Sequence, residues 1–353
     1  MKKINLVQLG CGNVGTALLK LYSKKRTWLA ERDIGLNPVA LVKSSGVIFN
    51  GSGLQLENLL NYKYLLDNFI AYNGWDSIFQ QLKTLDQPYI LVDATAADIG
   101  NIYMDVLENG NMVVTSNKVV LAGNLASYQA LMEYRNWIGY EATVCSGTPV
   151  IGPLRVLLNA GHEIIKIEAV LSGTLAYICN RLKNQPTGYK LSEAIQDAKE
   201  KQLTEPDPRD DLRGIDTLRK AIILARAIGW NFDSRDAEVS LPVSEKYFEA
   251  GEGLEIFLGR LPSLDLEKLP GNIDKALPFH YVAEITSGGI KIQLRNYSPA
   301  HPFAYNWSSG NMIILDLKKE DPLPIVINGP GAGADFTAQA VLGDIVTLVQ
   351  KNM

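Results

Sequence analysis

Glu205, Asp207, Asp210, Asp211 and Asp216 share one mid-chain stretch with Arg209, Arg213, Arg219 and Lys220. The stretch runs from Thr204 to Lys220, and an apolar run follows it. Pro206 and Pro208 stiffen its start and are expected to block helix there. From about Ile215 the chain can be helical, which sets Asp216 and Lys220 four apart on one face. A carboxylate held beside an amine, with further acids on the preceding loop, can grip a zwitterionic substrate and move a proton. The same composition also suits a solvated charged loop followed by an ordinary ion pair, worth only about 0.3–0.5 kcal/mol. The rest of the chain decides between them.

A second constellation sits near the N-terminus. Gly10-Cys11-Gly12-Asn13-Val14-Gly15 follows a strand and opens a helix, which are the conditions that lift a G-x-G-x-x-G string above chance. Gly10 permits the tight turn, Gly12 lets backbone approach a pyrophosphate, and Gly15 lets helix and strand pack closely. Asn13 and Val14 begin the helix, whose N-terminus faces the phosphates. The second strand of such a fold ends in Asp or Glu when the ribose 2′-hydroxyl is read. Here it ends Val42-Lys43-Ser44-Ser45, with a cation in place of an acid. Lys43 therefore favours a 2′-phosphate, hence NADP(H), with NAD(H) as the second choice. Thr95 after Asp93, and Ser116-Asn117-Lys118 after Met112–Thr115, lie at further strand ends. Ligands of open α/β sheets bind beyond those ends, so these residues offer donors to a nicotinamide, its ribose or a substrate carbonyl.

The elements that must position these groups fall into two patterns. The first half alternates: strand Ile4–Leu9, helix from about Val14 to Ser23, strand Val39–Lys43 and helical stretches at Leu54–Leu60 and Trp75–Leu82. Strand Tyr89–Asp93, helix Asn101–Glu108, strand Met112–Thr115 and helix Leu125–Arg135 complete it. That rhythm predicts a Rossmann-type, doubly wound parallel sheet. After about Cys145 it changes. Strands are expected at His162–Ser172, Phe279–Ile285, Gly289–Arg295 and Met312–Leu317, and helices at Leu175–Leu182, Ser192–Lys201 and Leu218–Ile228. This suggests an α+β domain with an antiparallel sheet. Pro262–Lys275 reads as loop and short helix. A Gly-rich Gly329–Ala334 segment precedes a last apolar helix, Phe336–Leu348. The expected division is a dinucleotide-binding domain over 1–145, a substrate-binding and dimerisation domain over 146–328, and a C-terminal segment over 329–353 packing back on the first.

Composition narrows the class. The chain has 353 residues, a net charge of −4 and 46% hydrophobic residues. No long basic tract appears, which argues against nucleic acid as a partner. Charges interrupt every apolar stretch before it reaches membrane-spanning length. Cys11, Cys145 and Cys179 are an odd number without metal-ligand spacing, consistent with reduced thiols in a cytoplasmic protein. Met1-Lys2-Lys3 leads straight into a strand, so no signal peptide is expected. The histidines His162, His280 and His301 form no ligand pair. Trp28, Trp75, Trp137, Trp230 and Trp307 read as packing residues.

The motifs in order resemble one family. The glycine turn, Asp93-Ala94-Thr95, Ser116-Asn117-Lys118, Tyr140–Val144, Ser172-Gly173-Thr174, the acidic stretch through Gly214, Asp216 and Lys220, and Gly331–Ala334 with Thr337-Ala338 together look like homoserine dehydrogenase. The resemblance covers nearly the full chain and implies interconversion of L-aspartate 4-semialdehyde and L-homoserine with NAD(P)H, in threonine and methionine biosynthesis. It implies Lys220 as the catalytic acid/base and Lys118 as a second catalytic lysine. Glu205 would bind the substrate amino group, Asp216 would orient the substrate, and Asp211 would support the site. Gly333 would join Gly10, Gly12, Asn13, Val14, Gly15, Lys43, Thr95, Ser116 and Lys118 around the cofactor. Glu141, with carbonyls of Val144, Ser146 and Thr148, would hold a structural monovalent cation, sodium by the family's habit. A homodimer formed through the second domain is implied, and no threonine feedback domain.

The chemistry agrees from below. Hydride attack on an aldehyde carbon builds negative charge on its oxygen, and a nearby ammonium stabilises that charge and supplies the proton. The reverse direction needs a neutral lysine, whose unperturbed pKa near ~10.4 makes it a poor base. Gln202 stands where the family commonly has glycine, which puts the local contact geometry in question. Two other readings compete: a non-catalytic NADP(H)-binding module, and a phosphorylating semialdehyde dehydrogenase using Cys145 as nucleophile.

Overall fold

The computed structural model describes residues 1–72, 74–183, 190–248, 253–306, 309–318 and 323–353; Trp307 lies outside them. Two compact units form, one from 1–149 with 333–353 and one from 150–332.

The first unit is built on six strands: β1 Lys2–Leu9, β2 Ile34–Lys43, β3 Gly46–Phe49, β4 Tyr89–Asp93, β5 Met112–Thr115 and β6 Ile138–Gly139. Their order is β3-β2-β1-β4-β5-β6. Five run parallel, and β3 returns antiparallel to β2. The sheet is therefore mixed rather than wholly parallel. Lys43 pairs with Gly46, so Ser44-Ser45 is a hairpin turn and not an exit loop. A two-residue link forces antiparallel return, whereas a parallel neighbour needs a crossover. β2 also starts earlier than expected. It passes through Pro38 with a register shift between Leu6 and Val7 of β1, which accommodates the missing proline donor.

Residues 4 to 9 of β1 are all buried, as a central parallel strand covered on both faces requires. The cover on one side is the helix Asn13–Lys24 and the closing helix Ala334–Asn352. Ala338, Val341, Leu342, Ile345 and Val349 recur at helical spacing and pack into the core with Ile4, Leu6 and Leu18. Loop residues 139–147 are tied to that helix as well. Asp344 Oδ2 accepts from the Glu141 amide at 2.8 Å. A Cβ on Gly147 would stand 2.5 Å from Phe336 O. These ties are why Ser146 and Gly147 belong to the first unit.

The second unit carries β7 Ile164–Val170, β8 Ala237–Val239, β9 Phe279–Thr286, β10 Gly289–Asn296, β11 Asn311–Leu317 and β12 Ile325–Gly329. Their order is β12-β11-β7-β9-β10-β8, antiparallel except that β8 runs parallel to β10. The helices Gly173–Lys183 and Ile215–Ala227 lie against β9. Lys166, Glu168, Glu284, Arg295 and Asp316 form an ion-pair network along the sheet. The stretch read as loop around Pro262 begins inside a helix, Leu254–Leu264. Pro262 lies inside that helix, and the rest of the stretch read as loop and short helix follows it.

The helix Leu191–Glu200 ends in two bonds, Leu203 N to Ala198 O and Gln202 N to Lys199 O, both 2.9 Å. This is a Schellman close, whose penultimate residue turns left-handed and is usually glycine. Here Gln202 takes that role with φ +56°. The family departure thus leaves the backbone turn intact at a conformational cost. Gln202→Gly is expected to raise stability by about 0.5–1 kcal/mol, read from denaturant unfolding, while Gln202→Ala leaves it near wild type.

Candidate active site

The first unit gathers the expected cofactor residues at the carboxyl ends of β1, β4 and β5. Gly10 has φ +97°, and a Cβ there would stand 2.8 Å from Ala94 O. A Cβ on Gly15 would stand 2.2 Å from Gly10 O, so helix and turn touch at backbone. A Cβ on Gly12 would meet nothing within 4 Å. Two glycines are thus fixed by packing and the third faces open space, as a dinucleotide cradle needs. The helix that begins at Asn13 has no side-chain cap, which leaves its positive end for an anion. A cleft of about 540 Å³ opens there, lined by Asn13, Thr16, Lys20, Gly333 and Phe336. Val14 is half-buried beside it.

Gln8 was not foreseen. This β1 residue is buried, and its amide donates to Gly10 O at 3.0 Å and Gly15 O at 3.1 Å, bracing the turn. Lys43 closes β2 with its ammonium 3.9 Å from the Phe69 ring centre. Burial pushes the Cys11 thiol up to about 11, with Lys43 opposing. No acidic residue stands at the end of β2, as the sequence implied.

Asp93 is the hub of this half. It is fully buried, accepting from Thr95 N at 2.7 Å, Tyr103 OH at 2.6 Å and Asn117 Nδ2 at 2.9 Å. Asn117 also donates to Ala97 O and caps the helix Lys118–Ala122 by accepting from Val119 N. Its side chain is spent inward. The expectation that Asn117 offers a donor to a ligand is corrected, whereas Ser116 and Lys118 stay half-buried at the strand end. Tyr103, fully buried on a helix, gave no sequence signal beyond an apolar position.

The Glu141–Thr148 loop contains a short 3-10 turn and two consecutive left-handed residues, Cys145 at φ +58° and Ser146 at φ +57°. Ser146 Oγ lies 2.6 Å from Thr337 Oγ1. Among the described residues no group of three His, Cys, Asp or Glu could hold a metal ion. Cys145 is fully buried, so the thiol-nucleophile reading has no accessible sulfur. His280 is also fully buried, its Nε2 3.0 Å from Phe303 O, and burial brings its pKa down to about 4.

The second unit gathers the acidic stretch. Pro206 lies in non-helical chain as expected, but Pro208 does not block helix: it is the first residue of a short one, Pro208–Leu212, capped by the Asp207 side chain. Proline suits that position because its missing N–H has no partner there anyway. Asp211 Oδ2 accepts from Glu205 N at 2.8 Å and Oδ1 lies 2.8 Å from Thr174 Oγ1. Burial raises the Asp211 pKa, opposed by those hydrogen bonds. Both oxygens are engaged by protein, which suits support rather than substrate contact. Thr174, from Ser172-Gly173-Thr174, is the partner that motif concealed.

Gly214 then turns left-handed with φ +67°, and a Cβ there would stand 2.7 Å from Tyr281 OH. The helix Ile215–Ala227 follows. Lys220 Nζ lies 2.7 Å from Asp216 Oδ2 and donates to Leu171 O at 2.8 Å. The lysine side chain is 9% exposed and its partner 48%. An ordinary solvated pair would show both tips in water. Here the amine is held inside, while its carboxylate partner and Glu205 reach solvent.

Residues 149–346 match the homoserine dehydrogenase family, and 10–139 match the NAD binding domain of homoserine dehydrogenase. The chain belongs to the homoserine dehydrogenase family. It is 33% identical to homoserine dehydrogenase of Saccharomyces cerevisiae over 99% of both chains. It is 31% identical to that of Schizosaccharomyces pombe over 99% of this chain and 96% of the other. A hyperthermophilic archaeal homoserine dehydrogenase solved in complex with NADPH superposes with a TM-score of 0.76 at 25% identity, covering 100% of this chain and 99% of that one. A Candida auris protein titled as of unknown function superposes with 0.86 at 28% identity, covering 99% of each. As a member of this enzyme family, the chain is an oxidoreductase with a nucleotide-binding domain.

The glycine cradle gives a direct check. Gly15→Ala forces Gly10 O to move, and dinucleotide affinity is expected to fall more than tenfold by fluorescence titration. The circular-dichroism spectrum should stay that of wild type.

Proposed function

We propose that the protein interconverts L-aspartate 4-semialdehyde and L-homoserine with NADP(H), accepting NAD(H) less well. The observation that carries this is the buried Lys220 amine, held by Leu171 O and Asp216 beside the half-exposed end of the acidic stretch. The nicotinamide supplies and accepts the hydride when the cofactor is bound. Lys220 donates a proton as charge grows on the aldehyde oxygen, and takes it back in the oxidation direction. Asp216 orients the substrate, Glu205 meets its amino group, and Asp211 keeps the Glu205 backbone in place. Lys118, at the start of its helix, is the second cationic group. The cradle of Gly10, Gly12, Asn13, Val14 and Gly15 would hold the pyrophosphate, with Thr95, Ser116 and Gly333 around it. Lys43, already seated on Phe69, would meet a 2′-phosphate.

Glu141 with carbonyls of Val144, Ser146 and Thr148 is an all-oxygen donor set, which suits a hard cation such as sodium. Such an ion would tie the loop that the closing helix already grips. A second copy of the chain is the partner expected for the second sheet, the reaction would serve threonine and methionine biosynthesis, and three free cysteines suit a cytoplasmic setting. A module that only senses NADP(H) would have no use for a buried amine beside a substrate-sized group of acids.

The deciding assay is homoserine oxidation by the purified protein with NADP or NAD, with sodium and potassium varied. Lys220→Ala should lose at least about a thousandfold in kcat with NADPH affinity unchanged. Lys43→Met should raise KM for NADP(H) more than for NAD(H). Wild-type turnover in Lys220→Ala would remove the assignment.

A further inference from the structure

Lys220 depends on a carbonyl that a second side chain also holds. Leu171 O, fully buried at the end of β7, accepts from Lys220 Nζ at 2.8 Å and from Asn311 Nδ2 at 3.3 Å. Asn311 opens β11 and is itself fully buried. Its amide is clamped from the other side by backbone. A Cβ built on Gly331 would stand 2.1 Å from Asn311 Oδ1 and 2.7 Å from Nδ2, so only glycine leaves room for the amide. Asn311 pairs with Gly329 across the β11–β12 ladder, which brings the Gly-rich exit of β12 against it.

We propose that Asn311, locked by Gly331, is a positioning residue for Lys220, acting by fixing the direction of the Leu171 carbonyl. A carbonyl has two lone pairs and can accept from both donors at once. With the amide in place the carbonyl is steered, and the ammonium meets it in a defined direction. Without it the carbonyl is free to rotate with its peptide, and the amine tip follows. Neither residue needs to touch substrate or cofactor. Asp216 on its own helix faces the amine, and Asp211 and Glu205 are electrostatically coupled to one another, Asp211 also to Asp216.

The inference rests on Lys220 being the proton-transfer group, so the test includes that variant. Asn311→Ala removes the second donor. Gly331→Ala pushes the amide aside while leaving it present. Each should lower kcat for homoserine oxidation on the order of tenfold, with KM for NADP little changed. The double variant should lose no more than the worse single, because both act on one hydrogen bond. Asn311→Asp places a carboxylate near the ammonium and should move the acid limb of the kcat–pH profile upward. Asn311→Ala, which lets the Leu171 carbonyl turn away from the ammonium, should move it downward. Opposite shifts are not expected of residues that merely keep the fold. Losses that multiply in the double variant, or a profile fixed in both Asn311 variants, would overturn the proposal. An active Lys220→Ala would instead overturn the reading beneath it, whatever Asn311 does.

Discussion

Everything in the second unit is arranged around keeping one ammonium charged while it is nearly out of water. Removing a charge from solvent without partners costs several kcal/mol, and a lone lysine in that position would deprotonate or swing outward. Leu171 O and the Asp216 carboxylate supply contacts that prevent this. The stem is fixed independently. Ala221, Ile222, Ile223, Leu224 and Ala225 on the same helix are all buried, so the helix cannot roll to expose the amine.

The first unit solves a different problem with the same economy of partners. Its strand-end loops must hold shape without regular secondary structure. Asp93 does this by drawing Thr95 N, Tyr103 OH and Asn117 Nδ2 onto one buried carboxylate. Tyr103 OH also lies 2.7 Å from Thr115 Oγ1, which accepts from Asn117 N. The chain of bonds runs through three segments of backbone, so the residue before Lys118 cannot shift without breaking several at once. Pre-organisation of this kind lowers the cost of ordering groups when a ligand arrives.

The parts legible in the sequence were those with a local cause. The glycine turn, the strand-to-helix rhythm and the i,i+4 spacing of Asp216 and Lys220 are set by neighbours in the chain, and the structure contains them. The misses were non-local or depended on a single turn. Ser44-Ser45 read as an exit from β2 because nothing local distinguishes a loop from a two-residue hairpin; the pairing of Lys43 with Gly46 decides it. Pro208 read as a helix breaker because its effect reverses between the first helical position and the interior. Asn117 read as a ligand donor because its partners, Asp93 and Ala97, lie far back in the sequence. Asn311 and Gln8 gave no signal at all. Each is one polar residue in a strand, and its meaning lies in carbonyls it reaches.

The buried lysine also bears on why the acidic stretch is so charged. Apolar side chains in place of both Lys220 and Asp216 would fill the same space with no ions to solvate, and such replacements of a whole pair are often neutral or stabilising. The fold therefore gains little from the amine itself. It also carries the cost of a partly buried Asp211, whose pKa burial raises. A charged loop selected for solubility would place these groups outward, where they are hydrated at no cost. The inward placement of the Lys220 amine and of Asp211, beside carboxylates such as Asp216 and Glu205 that stay in contact with water, suits a site for a small molecule and does not follow from stability alone.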